Sequence, residues 1–223
     1  MSTLTRTRRL LVTRRDPETA SYETVGELAE TTDGKYSFQY HPHTRRPMPG
    51  MPDLSEVYTS SRLFPTFDHR VISPRRADHD GYLNGLNLPP DATPFEVLAR
   101  SGGRSAVDTY ELTPVPEPGP VELLFLVHGI RHLEPSEQDA VDQLQHGDKL
   151  ELRLEPENPV DDQAVLVTRL GCRLGWVPSP LVPYIRQIMT SACSLNVERL
   201  NPPEAGFHMR LLVKVTGTYK DLN

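Results

Sequence analysis

Disulfide chemistry is almost missing from this chain: Cys172 and Cys193 are the only cysteines in 223 residues. Two thiols cannot build the framework that staples small secreted domains, and both are expected to be buried and reduced. Long apolar runs are lacking as well. No stretch approaches the roughly 20 residues that cross a bilayer, so no membrane partner and a cytoplasmic location are expected. Excess positive charge is absent, with 24 Lys and Arg against 30 Asp and Glu and a net charge of −6. That balance argues against a strong non-specific nucleic-acid binder, because such domains usually present a basic face. The local signatures of group transfer are absent too: no Gly-x-Gly-x-x-Gly, no catalytic Asp-x-x-x-x-Asn, no Asp-Phe-Gly and no nucleophile elbow. A catalytic role is not expected.

Proline is plentiful, at 22 residues, and it punctuates the chain. The first fifteen residues hold five arginines and no acid. Without the apolar segment of a secretory signal, residues 1–8 are read as a solvated basic arm and not as a targeting peptide. Thr113-Pro114-Val115-Pro116-Glu117-Pro118-Gly119-Pro120 alternates proline with other residues, which favours a stiff extended hinge over 114–120. It separates a region at 9–113 from one at 121–223.

The first region opens on a strand, "RRLLVTRRD", followed by a hairpin, "TVGELAETTDGKYSFQYHP". In the hairpin Asp33-Gly34 supplies a turn with positive φ, and Lys35 to Tyr40 alternates polar with aromatic. A proline-broken loop precedes three short helices in "SSRLFPTFDHRVIS", "DGYLNGLNL" and "TPFEVLARSGG", and "DTYELTP" closes as a strand. In the second region Val121 to Val127 is a continuous apolar run, expected to be a strand buried on both faces. Strands follow in "HGDKLELRLEP", "DQAVLVTRL", "CRLGWVP" and "FHMRLLVKVTGTY". "SPLVPYIRQIM" has helical spacing, with Ser179 as expected N-cap and Pro180 at the first position. The fold class is α+β: a small N-terminal α/β module of hairpin and helices, then an OB-like, partly open β-barrel with one or two helices.

Within the barrel, "EPENPVDDQAV" is the most pointed stretch. By residue type alone it is a hairpin corner, where Asn and Asp bond their own backbone and proline fixes the entry. It stands, however, in an ordered series: Gly129-Ile130-Arg131, then Glu155-Pro156-Glu157-Asn158-Pro159-Val160-Asp161 with Ala164-Val165, then Gly175-Trp176-Val177-Pro178. This series resembles the HIRAN domain over about residues 121 to 217. The resemblance implies an OB-like barrel that holds the 3′ end of single-stranded DNA. Arg131 would contact the backbone near the terminus, beside Gly129 and His132, while Asn158 and Asp161 would lie near the terminal sugar. A carboxylate there accepts a hydrogen bond from a free 3′-hydroxyl and repels an internal phosphodiester. Asp162 falls at a variable position of the motif.

The chain departs from the family pattern at His132-Leu133, where aromatic residues stand, and at Ser179, where a basic one does. Trp176 is the sole tryptophan; it would either stack a base or pack at the strand end. The second region holds ten Lys and Arg against fourteen Asp and Glu, so a modest salt dependence is expected.

The first region has its own likeness. "VGELAETTDGKYSFQYHP", "LFPTFDHRVIS" and "YLNGLNLPPDATPFEVLARSGG" resemble the small N-terminal subdomain of HipA-like kinases over about residues 9 to 113. The catalytic machinery of those kinases lies in a later domain not found here, so the likeness implies an interaction role with a protein partner. Other groups carry less. His41 with His43, and His128 with His132, lack the further ligands of a metal site, and no cofactor is expected. Gly102-Gly103 reads as a helix C-cap rather than a phosphate cradle. Arg62, Arg70, Arg75 and Arg76, with Asp68 among them, form either a solvated face or a secondary basic contact.

The expected function is recognition of single-stranded DNA or a DNA 3′ end by a non-catalytic, bacterial-type protein in repair, replication-fork handling or defence against foreign DNA. The alternative is a regulatory protein-interaction module partnering a kinase or helicase. A metal-dependent nuclease built on Glu157, Asp161 and Asp162 ranks behind both, because one short acidic turn is a poor two-metal site.

Overall fold

The structure, a computed structural model, describes residues 8–19 and 21–220. The arm expected over residues 1–8 lies, but for Arg8, outside the described residues. The chain divides into two compact units. One takes the described residues up to Asn84 together with Leu88–Val115; the other takes Pro116 onward with the short piece Gly85–Asn87.

In the N-terminal unit an antiparallel sheet of β1 (Arg9–Arg15), β2 (Tyr22–Glu30), β3 (Tyr36–Tyr40), β4 (Val57–Ser60) and β5 (Tyr110–Pro114) runs in the order β4-β3-β2-β1-β5. Alternation along β1 and β3 sends Leu10, Val12, Phe38 and Tyr40 to one face. There they meet Phe67, Phe95 and Leu98 from helices α1 (Pro65–Asp68) and α3 (Pro94–Ser101); α2 (His79–Gly85) lies between those two in sequence. The local code of α3 is complete. Thr93 accepts from the Glu96 amide, Glu96 bonds the Thr93 amide in return, Pro94 needs no partner for its missing N–H, and Gly102 ends the helix at φ 74°.

The C-terminal unit holds β6 (Gly119–Leu126), β7 (Lys149–Leu154), β8 (Val165–Arg169), β9 (Cys172–Trp176), β10 (Ser194–Leu200) and β11 (Leu211–Tyr219), in the order β6-β11-β10-β7-β8-β9. The sheet curls until the last strand meets the chain just beyond the first. His128 and Trp176 form an isolated antiparallel bridge, each amide donating to the other's carbonyl at 2.9 Å. The result is a partly open barrel in the OB-like manner. Its interior is filled by Leu123, Phe125, Val165, Val167, Leu174, Val213 and Val215, with Ile185 and Ile188 from α5 (Val182–Ile188). Helix α4 (Pro135–Asp142) packs against β9.

Several expectations are corrected. The apolar run at 121–127 is an edge strand over most of its length, with Leu123 and Phe125 buried but Glu122 exposed. Ser179 is not an N-cap: it starts a 3-10 turn, Ser179–Leu181, and α5 begins only at Val182 with no side-chain cap. The Leu181 amide bonds the Pro178 carbonyl, three residues back, so the tighter turn forms first. Both cysteines are exposed, not buried; Cys172 is the first residue after the β8–β9 turn, and Cys193 immediately precedes β10. The proline-rich stretch enters the sheets at both ends, where Pro114 pairs with Leu10 and Gly119 with Tyr219.

Candidate nucleic-acid interface

The loop from β7 to β8 is organised by its own polar side chains. The Asn158 Oδ1 accepts from the amides of Val160, at 2.9 Å, and Asp161, at 3.1 Å. Its Nδ2 donates to Glu155 Oε2 at 2.6 Å. Asp161 Oδ1 in turn accepts from the Gln163 amide at 2.9 Å. Asn158 is thus engaged at both ends of its amide, and its role is to fix the turn that presents Asp161, as the hairpin-corner account requires. Asp161 is half-buried, and Val160 between them is 72% exposed.

Glu155 is the hub. The same Oε2 that takes the Asn158 bond accepts from Trp176 Nε1 at 2.6 Å. Burial pushes the Glu155 carboxyl up, but the hydrogen bonds from Trp176 and Asn158 and the nearby charge of Arg173 outweigh it and hold the group below the usual glutamate range. An ionised carboxylate therefore ties the loop to β9.

Trp176 is half-buried and packs against the barrel core. Gly129, at φ 78°, brings its backbone so close that a Cβ there would stand 2.4 Å from Trp176 Cε3. Only glycine serves at this position, for the conformation and for the approach alike. The Arg173 guanidinium lies over the indole, 5.0 Å from the ring centroid. Trp176 thus presents a guanidinium, not a bare aromatic face, where Arg173 covers it.

Gly129 opens a 3-10 turn, Ile130–His132, with Ile130 in the core and Arg131 and His132 exposed. Arg131 Nε donates to His132 Nε2 at 2.9 Å. No carboxylate pairs with Arg131 among the described residues.

Four of the residues singled out by sequence, Gly129, Asn158, Asp161 and Trp176, form one connected patch, and Arg131 and His132 sit on the turn that begins at Gly129. The secondary arginines are a different matter. Arg70 is buried, with Nε bonded to the Thr66 carbonyl, Nη1 to the Gly103 carbonyl, and both Nη atoms to Asp108. It is a structural cross-link of the N-terminal unit and offers nothing to a ligand. Arg76 is paired with Asp78, while Arg62 and Arg75 are exposed. His41 and His43 lie with ring centroids 5.3 Å apart, and no third candidate metal ligand joins them among the described residues.

Two participants went unassigned by sequence. Glu155 lay inside the motif, and the signal was an acid placed to receive both an amide and an indole N–H. Arg173 was hidden by strand alternation, which puts residues 173 and 176 on opposite faces. The β8–β9 register breaks that rule: Val167 pairs with Gly175 but Thr168 with Arg173, so Leu174 is an extra residue. This bulge returns Arg173 to the face of Trp176.

No protein-family model matches the sequence, and nothing among curated proteins matches it. Among solved structures the chain is similar to the HIRAN domain of human HLTF, at 20% identity and a TM-score of 0.35, over 46% of this chain and 82% of that one. It is also similar to a protein from Lactobacillus plantarum, at 18% identity and a TM-score of 0.34, over 46% of this chain and 100% of that one.

Proposed function

We propose that the C-terminal unit binds single-stranded nucleic acid and receives a strand's 3′ end at Asp161, without catalysis. The observation that carries this is the fixed turn. Asn158 and Glu155 hold Asp161 in place, leaving a half-buried carboxylate next to an exposed Val160 and the Trp176 patch. A carboxylate so placed accepts a hydrogen bond from a terminal hydroxyl and repels a phosphate in the same position. Arg131, exposed and with no carboxylate partner among the described residues, supplies the cation for the adjoining backbone. The motif series shared with HIRAN domains supports DNA as the polymer, in repair, fork handling or defence. The N-terminal unit would recruit a protein partner in this scheme. A pull-down with that unit that recovers nothing specific would remove the recruiting role.

Fluorescence anisotropy with labelled oligonucleotides tests the binding itself. A single strand with a free 3′-hydroxyl is expected to bind more tightly than a blunt duplex or a strand blocked by a 3′-phosphate. Equal affinity for all three, or no binding, would contradict the proposal.

A further inference from the structure

Arg173 is held in an unusual way. Arg169 bonds Asp148 directly at 2.9 Å, and Arg210 bonds Asp142 at 2.6 Å. The carboxylates nearest Arg173, Glu137 Oε1 and Glu155 Oε1, each stand 3.9 Å away, beyond hydrogen-bond reach. Its Nε is buried and has no hydrogen-bond partner among the described residues. That atom therefore does not anchor the guanidinium to either acid. Meanwhile the guanidinium carbon stands over the Trp176 ring, 5.0 Å from its centroid, and the side chain is 43% exposed. A planar fork carried on an aromatic ring, with both neighbouring carboxylates beyond hydrogen-bond distance, fits the oxygens of a phosphodiester.

We infer that Arg173 is a phosphate-binding residue of the interface, carried on Trp176 and drawn away from Glu137 when a strand binds. This rests on the nucleic-acid reading above and adds to it a contact that no motif residue supplies. In the free protein Glu137 and Glu155 keep the guanidinium in place at a distance, so a phosphate competes chiefly with Glu137, the carboxylate not already committed to Trp176 and Asn158. Glu137 also caps its helix, its Oε2 accepting from the Glu134 amide at 3.0 Å. Glutamine serves that cap equally well, so Glu137→Gln removes the charge and spares the helix.

The test is the salt dependence of binding to a single-stranded oligonucleotide, in wild type, Arg173→Ala, Glu137→Gln and the double variant, each checked for folding by circular dichroism. Arg173→Ala is expected to weaken binding and to lower the slope of log K against log[salt] by about 0.7, the share of one phosphate on a single strand. Glu137→Gln is expected to tighten binding in the wild-type background and to do nothing in the Arg173→Ala background. An unchanged slope in Arg173→Ala overturns the inference, as does a Glu137→Gln gain that persists without Arg173, since that gain would be a general charge effect. If Arg173→Ala does not fold, Arg173→Lys replaces it: the slope is kept while the Glu137→Gln gain shrinks, and a full gain counts against Arg173. Absence of binding by the wild type overturns this contact and the function together, whereas binding with an insensitive Arg173 overturns the contact alone.

Discussion

Among single residues, Glu155 ties the β7–β8 loop to Trp176. Its folded pKa is depressed, so the stability it contributes is present above the unfolded value of about 4.3 and is lost as pH falls through the lower folded value. The urea midpoint of the wild type should therefore exceed that of Glu155→Gln near neutral pH, and the two should converge under acid. A gap that stays constant with pH would mean that the charge of Glu155 contributes nothing. Gly129 gives a second reading of the same patch. Gly129→Ala combines an αL cost of about 1–2 kcal/mol with a collision against the indole. The expected result is a loss of at least that stability together with a shift in the emission of the sole tryptophan. The motif made Asn158, Asp161 and Trp176 visible in the sequence. It did not reveal that Asn158 is spent on its own turn, because an amide that positions and one that reads a ligand are written with the same letter.

At the scale of elements the informative places are turns and bulges. Leu170 and Gly171 link β8 to β9 with φ of 50° and 84°, the signature of a two-residue hairpin turn that favours Asn-Gly. Leu170 is 87% exposed and pays for its αL backbone without burying anything. Leu170→Asn is expected to raise stability by about 0.5–1 kcal/mol in chemical denaturation; a loss would mean the turn is of another kind. Strong patterns were legible here, as in the β2–β3 hairpin and the Thr93-Pro94-x-Glu96 helix start. Three elements were not. Helix α4, "PSEQDAVD", has little apolar periodicity and buries only Val141. Strand β4 is four residues at a sheet edge, and β10 interleaves Asn196, Glu198 and Arg199 with its two buried positions. The bulge at Leu174 was equally invisible, since an extra residue in a strand is settled by its partner's register and not by its own letters.

At the scale of the whole molecule the partition of roles between the units makes its own prediction. Arg70→Ala strips Asp108 of its partner and should destabilise the N-terminal unit by about 3–5 kcal/mol while leaving oligonucleotide affinity unchanged; Arg131→Ala should do the reverse. The curl of the sheet was out of reach of sequence patterns, because β9 meets the chain beyond β6 only through residues 48 positions apart, His128 and Trp176. The net charge of −6 remains the strongest bulk feature against tight strand binding, and the proposed recognition rests instead on an end-reading carboxylate and a few local cations. Asp161 is therefore the residue whose substitution bears most directly on the proposed recognition. With matched oligonucleotides ending in a 3′-hydroxyl or a 3′-phosphate, the wild type should favour the hydroxyl by about tenfold or more, the equivalent of one charge-assisted hydrogen bond. Asp161→Asn should bring the two affinities close together. A wild-type protein that binds both ends equally, or an Asp161→Asn variant that keeps the full preference, would contradict it.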